Sequence, residues 1–183
     1  MQSAINENHM SFQNYTWHCT CCGKQMTGLP PAMAFKEPGN WLGLTEDEKA
    51  ASHFNSDFCQ IIRLSGETER YIRCVLRMPV VEAGENDERF EFGVWMSVSE
   101  KGWGMYRAGC ESGVYQEEGC FGFLGNSIPE FPETFGLRAD VVFEAKDQRP
   151  SVWLHNQDHC LVDTQEFGIK LEVIVKLAVR MHN

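Results

Sequence analysis

A chain of 183 residues is long enough for one domain with its own core and short for two, and 43% hydrophobic with 11% aromatic residues excludes an intrinsically disordered polypeptide. Sixteen Lys and Arg against 26 Asp and Glu leave a formal net charge of −10, and no basic run offsets it, which argues against nucleic acid as a partner and suits a protein partner instead. No apolar run approaches the roughly 20 residues that cross a bilayer, and the polar start lacks the features of a secretory signal, so a cytoplasmic protein with no membrane partner is expected, its eight cysteines held as reduced thiols.

Residues 1–15 are polar and without periodicity and read as a flexible N-terminal arm, leaving residues 16–183 as a single α+β domain. Trp17-His18-Cys19-Thr20-Cys21-Cys22-Gly23-Lys24 follows. Cys19 and Cys22 form Cys-x-x-Cys-Gly, the form of a zinc knuckle, in which a tight turn aims two thiolates at one point and glycine lets backbone amides approach the sulfurs. Cys21 lies inside that turn and reads as a bystander. A structural zinc takes four protein ligands, and no second Cys-x-x-Cys exists. Cys59 is the preferred third ligand, with His18, His53 and Cys74 behind it. The competing readings are a redox pair of Cys19 and Cys22 and ordinary half-buried thiols.

Gly28-Leu29-Pro30-Pro31 and Glu37-Pro38-Gly39-Asn40 are turn signals that exclude regular structure between them. Thr45 and Glu48 form a capping box, predicting a short helix to about His53 that delivers Cys59. Phe58–Leu64, Arg70–Val81 and Phe90–Val98 read as strands, the first two joined by a hairpin loop at Ser65-Gly66-Glu67. In the second, Tyr71, Arg73, Val75 and Arg77 alternate with Ile72, Cys74, Leu76 and Met78, which puts Cys74 on the apolar side. Ser97 and Glu100 allow a second capping box and a helix weakened by Gly102 and Gly104. Residues 109–119 read as loop, Cys120–Leu124 as a short apolar run, and Leu137–Glu144 and Ser151–His155 as strands joined by a turn at Lys146-Asp147-Gln148. Leu171, Ile174, Leu177, Ala178 and Met181 recur at helical spacing and close the chain with a helix. The sum is α+β: a mainly antiparallel sheet of about five or six strands, two or three helices, and an N-terminal zinc-knuckle-like turn.

Taken in order, Trp17-His18-Cys19-Thr20-Cys21-Cys22-Gly23-Lys24 with Gly28-Leu29-Pro30, Ser56-Asp57-Phe58-Cys59, Phe92–Ser99, Phe121-Gly122-Phe123-Leu124, Arg149-Pro150-Ser151-Val152, Asp158-His159-Cys160-Leu161 and Gln165–Ile169 resemble an uncharacterised bacterial family, domain-of-unknown-function family 2199. The resemblance is collinear from about residue 15 to the C-terminus and implies no established activity. It also implies a His four residues after the second knuckle cysteine, where this chain has Met26, a poor zinc ligand, and a Pro where it has Cys160.

Asp158, His159 and Gln165 are the catalytic candidates, because a carboxylate beside an imidazole fixes its tautomer for general acid/base work; the bland alternative is a turn closed by hydrogen bonds to backbone. Arg149 before Pro150 could place a guanidinium in a cleft to hold a carboxylate, or simply lie on the surface. Trp41, Trp95, Trp103 and Trp153 read as core. The chain has no phosphate-binding Gly-x-x-x-x-Gly-Lys, no His-Glu-x-x-His, no Gly-x-Ser-x-Gly and no dinucleotide fingerprint. The leading expectation is therefore a binding or regulatory module with a structural zinc at Cys19, Cys22 and Cys59. A metal-assisted hydrolase using His159 and a thiol redox protein using Cys19 and Cys22 are the alternatives. Oligomeric state is not set by the sequence.

Overall fold

The computed structural model describes residues 11–145 and 147–182. Its centre is a pair of long antiparallel strands, β6 (Thr68–Pro79) and β7 (Arg89–Val98), paired from Tyr71↔Ser97 to Pro79↔Arg89. The predicted alternation holds: Ile72, Cys74, Leu76 and Met78 on β6 face Phe92, Val94 and Met96 of β7 within the main core, all fully buried.

Both long strands divide their second edges between two partners. On β7 the N-terminal half takes β3 (Ala32–Ala34) in parallel, and the C-terminal half takes β8 (Gly119–Leu124) antiparallel. On β6 the N-terminal half takes β5 (Phe58–Ile62), which in turn pairs with β4 (His53–Phe54). Further along β6, Val75 pairs in parallel with Ser151 of β10 (Ser151–Leu154). Since β8 pairs with β9 (Arg138–Val142) and β9 with β10, the order β6-β7-β8-β9-β10 returns to β6 and closes a five-stranded barrel. Closure pairs most of the edges that these five strands would present in an open sheet, and β3 and β4 stand outside the ring.

Four α-helices accompany the sheet. α1 (Glu46–Ala51) starts at the predicted capping box, Thr45 accepting from the Glu48 amide and Glu48 reaching back to the Thr45 amide. α2 (Glu100–Ser112) is capped by Ser99 rather than Ser97, which stays in β7, and runs three turns through its glycines to Gly113. Part of the stretch read as loop from residue 109 is therefore helix. α3 (Cys160–Phe167) is a helix that the sequence reading does not assign. α4 (Leu171–His182) is the predicted C-terminal helix and buries Leu171, Ile174, Leu177 and Ala178 in the main core.

The α+β class holds, with antiparallel pairings in the majority, but the strands number ten among the described residues rather than five or six. The additions are short. β1 (Thr16–His18) and β2 (Gln25–Thr27) form a separate hairpin, β3 occupies the stretch between two turn signals, and β4 adds an edge. A second core cluster, of Leu44, Cys59, Ile61, Tyr71 and Trp95, lies on the other face of β5, β6 and β7 from the barrel interior, with Phe35 and Trp41 against it. Of the expected N-terminal arm, residues 1–10 lie outside the described residues, whereas Phe12 is buried in the main core. Lys146 of the expected turn also lies outside them. No helix of the described residues is long and apolar enough to cross a membrane.

Candidate metal centre

The hairpin β1–β2 is the frame of the cysteine turn. Trp17 pairs with Met26 and His18 with Gln25, and the Trp17 indole N–H donates to Gly28 O at 2.9 Å, fixing the hairpin to the chain beyond it. Between the strands, the Cys19 amide donates to Lys24 O at 2.9 Å and the Gly23 amide to Cys19 O at 2.8 Å. Gly23 takes φ +70°, the left-handed conformation that favours glycine over residues with a Cβ. The turn so formed holds Cys19, Cys21 and Cys22 with their sulfurs within 4.8 Å of one another.

Cys19 is buried, only 1% exposed, while Cys21 and Cys22 are exposed. Cys19 Sγ and Cys21 Sγ stand 2.8 Å apart. The Cys21 thiol donating to Cys19 is the main reason that Cys19 is lowered to about 7, with the amides of Cys22 and Cys21 adding to it against the opposing effect of burial. The same contact pushes Cys21 up to about 11. The contact thus favours the thiolate on Cys19 over that on Cys21.

The donor set fits a soft or borderline metal, for which thiolates are the preferred ligands. Sulfurs around a tetrahedral zinc at about 2.3 Å stand about 3.8 Å from each other, inside the span of this group. Binding would require Cys19 and Cys21 to part by about 1 Å, within the reach of side-chain rotation at an exposed turn.

The structure places the three expected ligands in two different regions. Cys21, read as a bystander, belongs to the group, and Cys59 does not: it lies in the second core cluster beside Ile61, Tyr71 and Trp95. Burial pushes the Cys59 thiol up to about 12, so it is held as a neutral apolar group. Cys74 is fully buried, and burial holds its thiol well above the ordinary value. Met26 pairs across from Trp17 and packs on the main core, which accounts for a thioether at that position. Cys-x-Cys-Cys on a hairpin with a left-handed glycine is the signal that would have included Cys21.

Of the expected catalytic trio, His159 and Gln165 are engaged with backbone at the start of α3 and along β10. His159 is the N-cap of that helix: Nδ1 accepts from the Leu161 amide at 3.0 Å and Nε2 donates to Pro132 O at 2.6 Å. Both ring nitrogens therefore have backbone partners, the turn-closing arrangement rather than that of an acid/base catalyst. Gln165 accepts from the Leu154 amide at 2.8 Å and donates to Val152 O at 2.7 Å. Asp158 is exposed, and among the described residues no hydrogen bond ties its carboxylate to His159. Of the tryptophans, Trp95 is fully buried but Trp153 is 55% exposed on β10, against the expectation that it is core.

Over residues 18–169, most of its length, the chain matches the family described as an uncharacterized protein conserved in bacteria (DUF2199). No curated protein and no solved structure matches it. The chain belongs to that family.

Proposed function

We propose that this family member is a zinc-binding protein in which Cys19, Cys21 and Cys22 ligate the ion, and that it acts as a cytoplasmic binding or regulatory module rather than an enzyme. The observation that carries the reading is the gathering of three cysteine sulfurs within 4.8 Å on one hairpin turn. Three thiolates leave one tetrahedral position, which water or a donor from a protein partner would fill. The net charge of −10 suits a partner with a basic face. An ion in this turn would lock β1 to β2 and stabilise the N-terminal segment, since structural zinc contributes on the order of 10 kcal/mol of apparent binding free energy.

The contact of Cys19 with Cys21 favours a second reading, a thiol redox pair, formed by these two rather than by Cys19 and Cys22. One experiment decides between them. The purified, untagged protein is analysed for metal, and its thiols are counted before and after chelation. About one zinc per chain, with three thiols becoming reactive on chelation, is the outcome expected of the metal centre. A metal-free protein whose Cys19 alkylates faster than all other cysteines would replace that reading with the redox one.

A further inference from the structure

A cleft of about 510 Å³ lies between α2 and the segment that enters β10, within the size range of small-molecule sites. Its apolar walls are Phe58 of β5, Tyr106 of α2 and Tyr115. Tyr106 and Tyr115 are stacked, their rings 5.8 Å apart and 4° from parallel. Gly109 makes this wall: a Cβ there would stand 1.9 Å from Tyr115 Cδ1, so only glycine lets that ring lie against the helix.

The polar end of the cleft is Arg149, the residue whose position before Pro150 suggested a guanidinium in a cleft. Its Nε donates to Asp57 Oδ1 at 3.0 Å. Asp57 Oδ2 accepts from Ser56 Oγ. Among the described residues neither Nη of Arg149 has a hydrogen-bond partner, so one edge of the guanidinium is free in a side chain that is 44% exposed. Behind it lies Arg73, 9% exposed, its guanidinium carbon 5.2 Å from the centre of the Trp95 ring and its Nε buried without a hydrogen bond among the described residues. Arg73 has no ion pair there either, and Asp57 is the carboxylate whose charge it feels. Arg149 is paired with Asp57, while the nearby Arg73 has no carboxylate within ion-pair distance among the described residues and donates only to Lys36 O at 3.5 Å. The lining also holds Asp147, at the exposed edge near Tyr115.

We propose that this cleft binds a small aromatic carboxylate, its charged group on the Nη edge of Arg149 and its ring against Phe58 and the Tyr106–Tyr115 stack. A planar fork of N–H donors matches a carboxylate in geometry, and the three aromatic walls supply the apolar contact that such sites use. The Nη edge of Arg149 is a single cationic fork and Asp147 also lines the cleft, which suits a monoanion and disfavours a doubly charged phosphate ester.

The probes are phenylacetate, the neutral phenylacetamide and phenyl phosphate, each titrated into the full chain while the amide resonances of Phe58 and Gly109 are followed. Phenylacetate is expected to saturate both shifts and to bind about tenfold or more tightly than phenylacetamide, the discrimination of a charge-assisted contact. Arg149→Gln is expected to abolish that preference while leaving the weak phenylacetamide binding unchanged, which a merely unfolded variant would not do. Absence of saturable shifts with the wild-type chain, equal affinity for acid and amide, or tighter binding of phenyl phosphate would each overturn the proposal.

Discussion

Gln165 Oε1 accepts the Leu154 amide at 2.8 Å while its Nε2 donates to Val152 O at 2.7 Å, so one side chain of α3 takes the place of a neighbouring strand along β10. The register explains the need. β10 pairs with β6 only at Ser151↔Val75, and beyond that pair its outward amide and carbonyl would lack sheet partners. Gln165→Ala is expected to destabilise the protein by about 1 to 3 kcal/mol, the usual cost of orphaning half-buried backbone groups. Gln165→Glu keeps the acceptor but loses the donor and should fall between. Urea unfolding of the three proteins checks this; an unchanged midpoint in Gln165→Ala would remove the strand-like role.

The cysteines give a second prediction, because the structure and the plain knuckle reading choose different ligands. Cys21→Ser should weaken zinc binding at least as much as Cys22→Ser, and Cys59→Ser should leave it unaltered, since Cys59 lies in a separate core cluster. Competition with a chromogenic chelator measures all three. Loss of binding in Cys59→Ser, with folding intact by circular dichroism, would restore the other set.

The long strands were legible because one face of β6 carries Ile72, Cys74, Leu76 and Met78 at every second position, although Tyr71 and Trp95 bury part of the other face of β6 and β7 in the second cluster. The barrel was not, since its closing contact is one register pair between β6 and β10 and no local pattern encodes it. β3 went unread for a related reason: Ala32-Met33-Ala34 is too short for a periodicity, and its strand geometry comes from parallel pairing with Glu91–Gly93. α3 carried a signal in its polar N-cap followed by Leu161 and Val162, with Gly168 after its end, but the Asp-His pair drew the reading toward catalysis. In the turn, the spacing of Cys19 and Cys22 was legible, whereas the part of Cys21 required the path of the backbone.

Acid stability should depend on Glu69. Burial alone would raise its carboxyl, but hydrogen bonds from Tyr71 Oη at 2.5 Å, Asn40 at 2.6 Å and Arg63 outweigh it and hold the group below its ordinary value. A carboxylate lowered on folding stabilises the native state above its unfolded value, and that contribution is lost as pH falls through the folded one. Asp57, lowered by Ser56 and Arg149 against the effect of burial, acts in the same direction. Glu69→Gln should therefore be less stable than wild type at pH 7, and the gap should close on acidification below about pH 4.5. Denaturant titrations at pH 7 and pH 3.5 test this; a gap independent of pH would assign the loss to packing instead.

Gly109 supplies a prediction whose sign depends on its surroundings. Within a helix, Gly→Ala ordinarily stabilises by about 1 kcal/mol, because alanine gives up less backbone entropy on folding. At this position the added methyl would meet Tyr115 Cδ1 at 1.9 Å and Cε1 at 2.2 Å, so the ring must leave its place. Its departure breaks the stack with Tyr106 and uncovers Phe143, whose ring lies 5.3 Å from that of Tyr115. Gly109→Ala is accordingly expected to destabilise by about 1 to 3 kcal/mol, the range for an overpacked site. In a Tyr115→Ala background the obstacle is gone, and the same substitution should become neutral or stabilising. A double-mutant cycle read by thermal or urea unfolding gives the coupling between the two sites directly. Additive effects would mean that Tyr115 does not rest on Gly109, and the aromatic wall of the cleft would then lack its foundation.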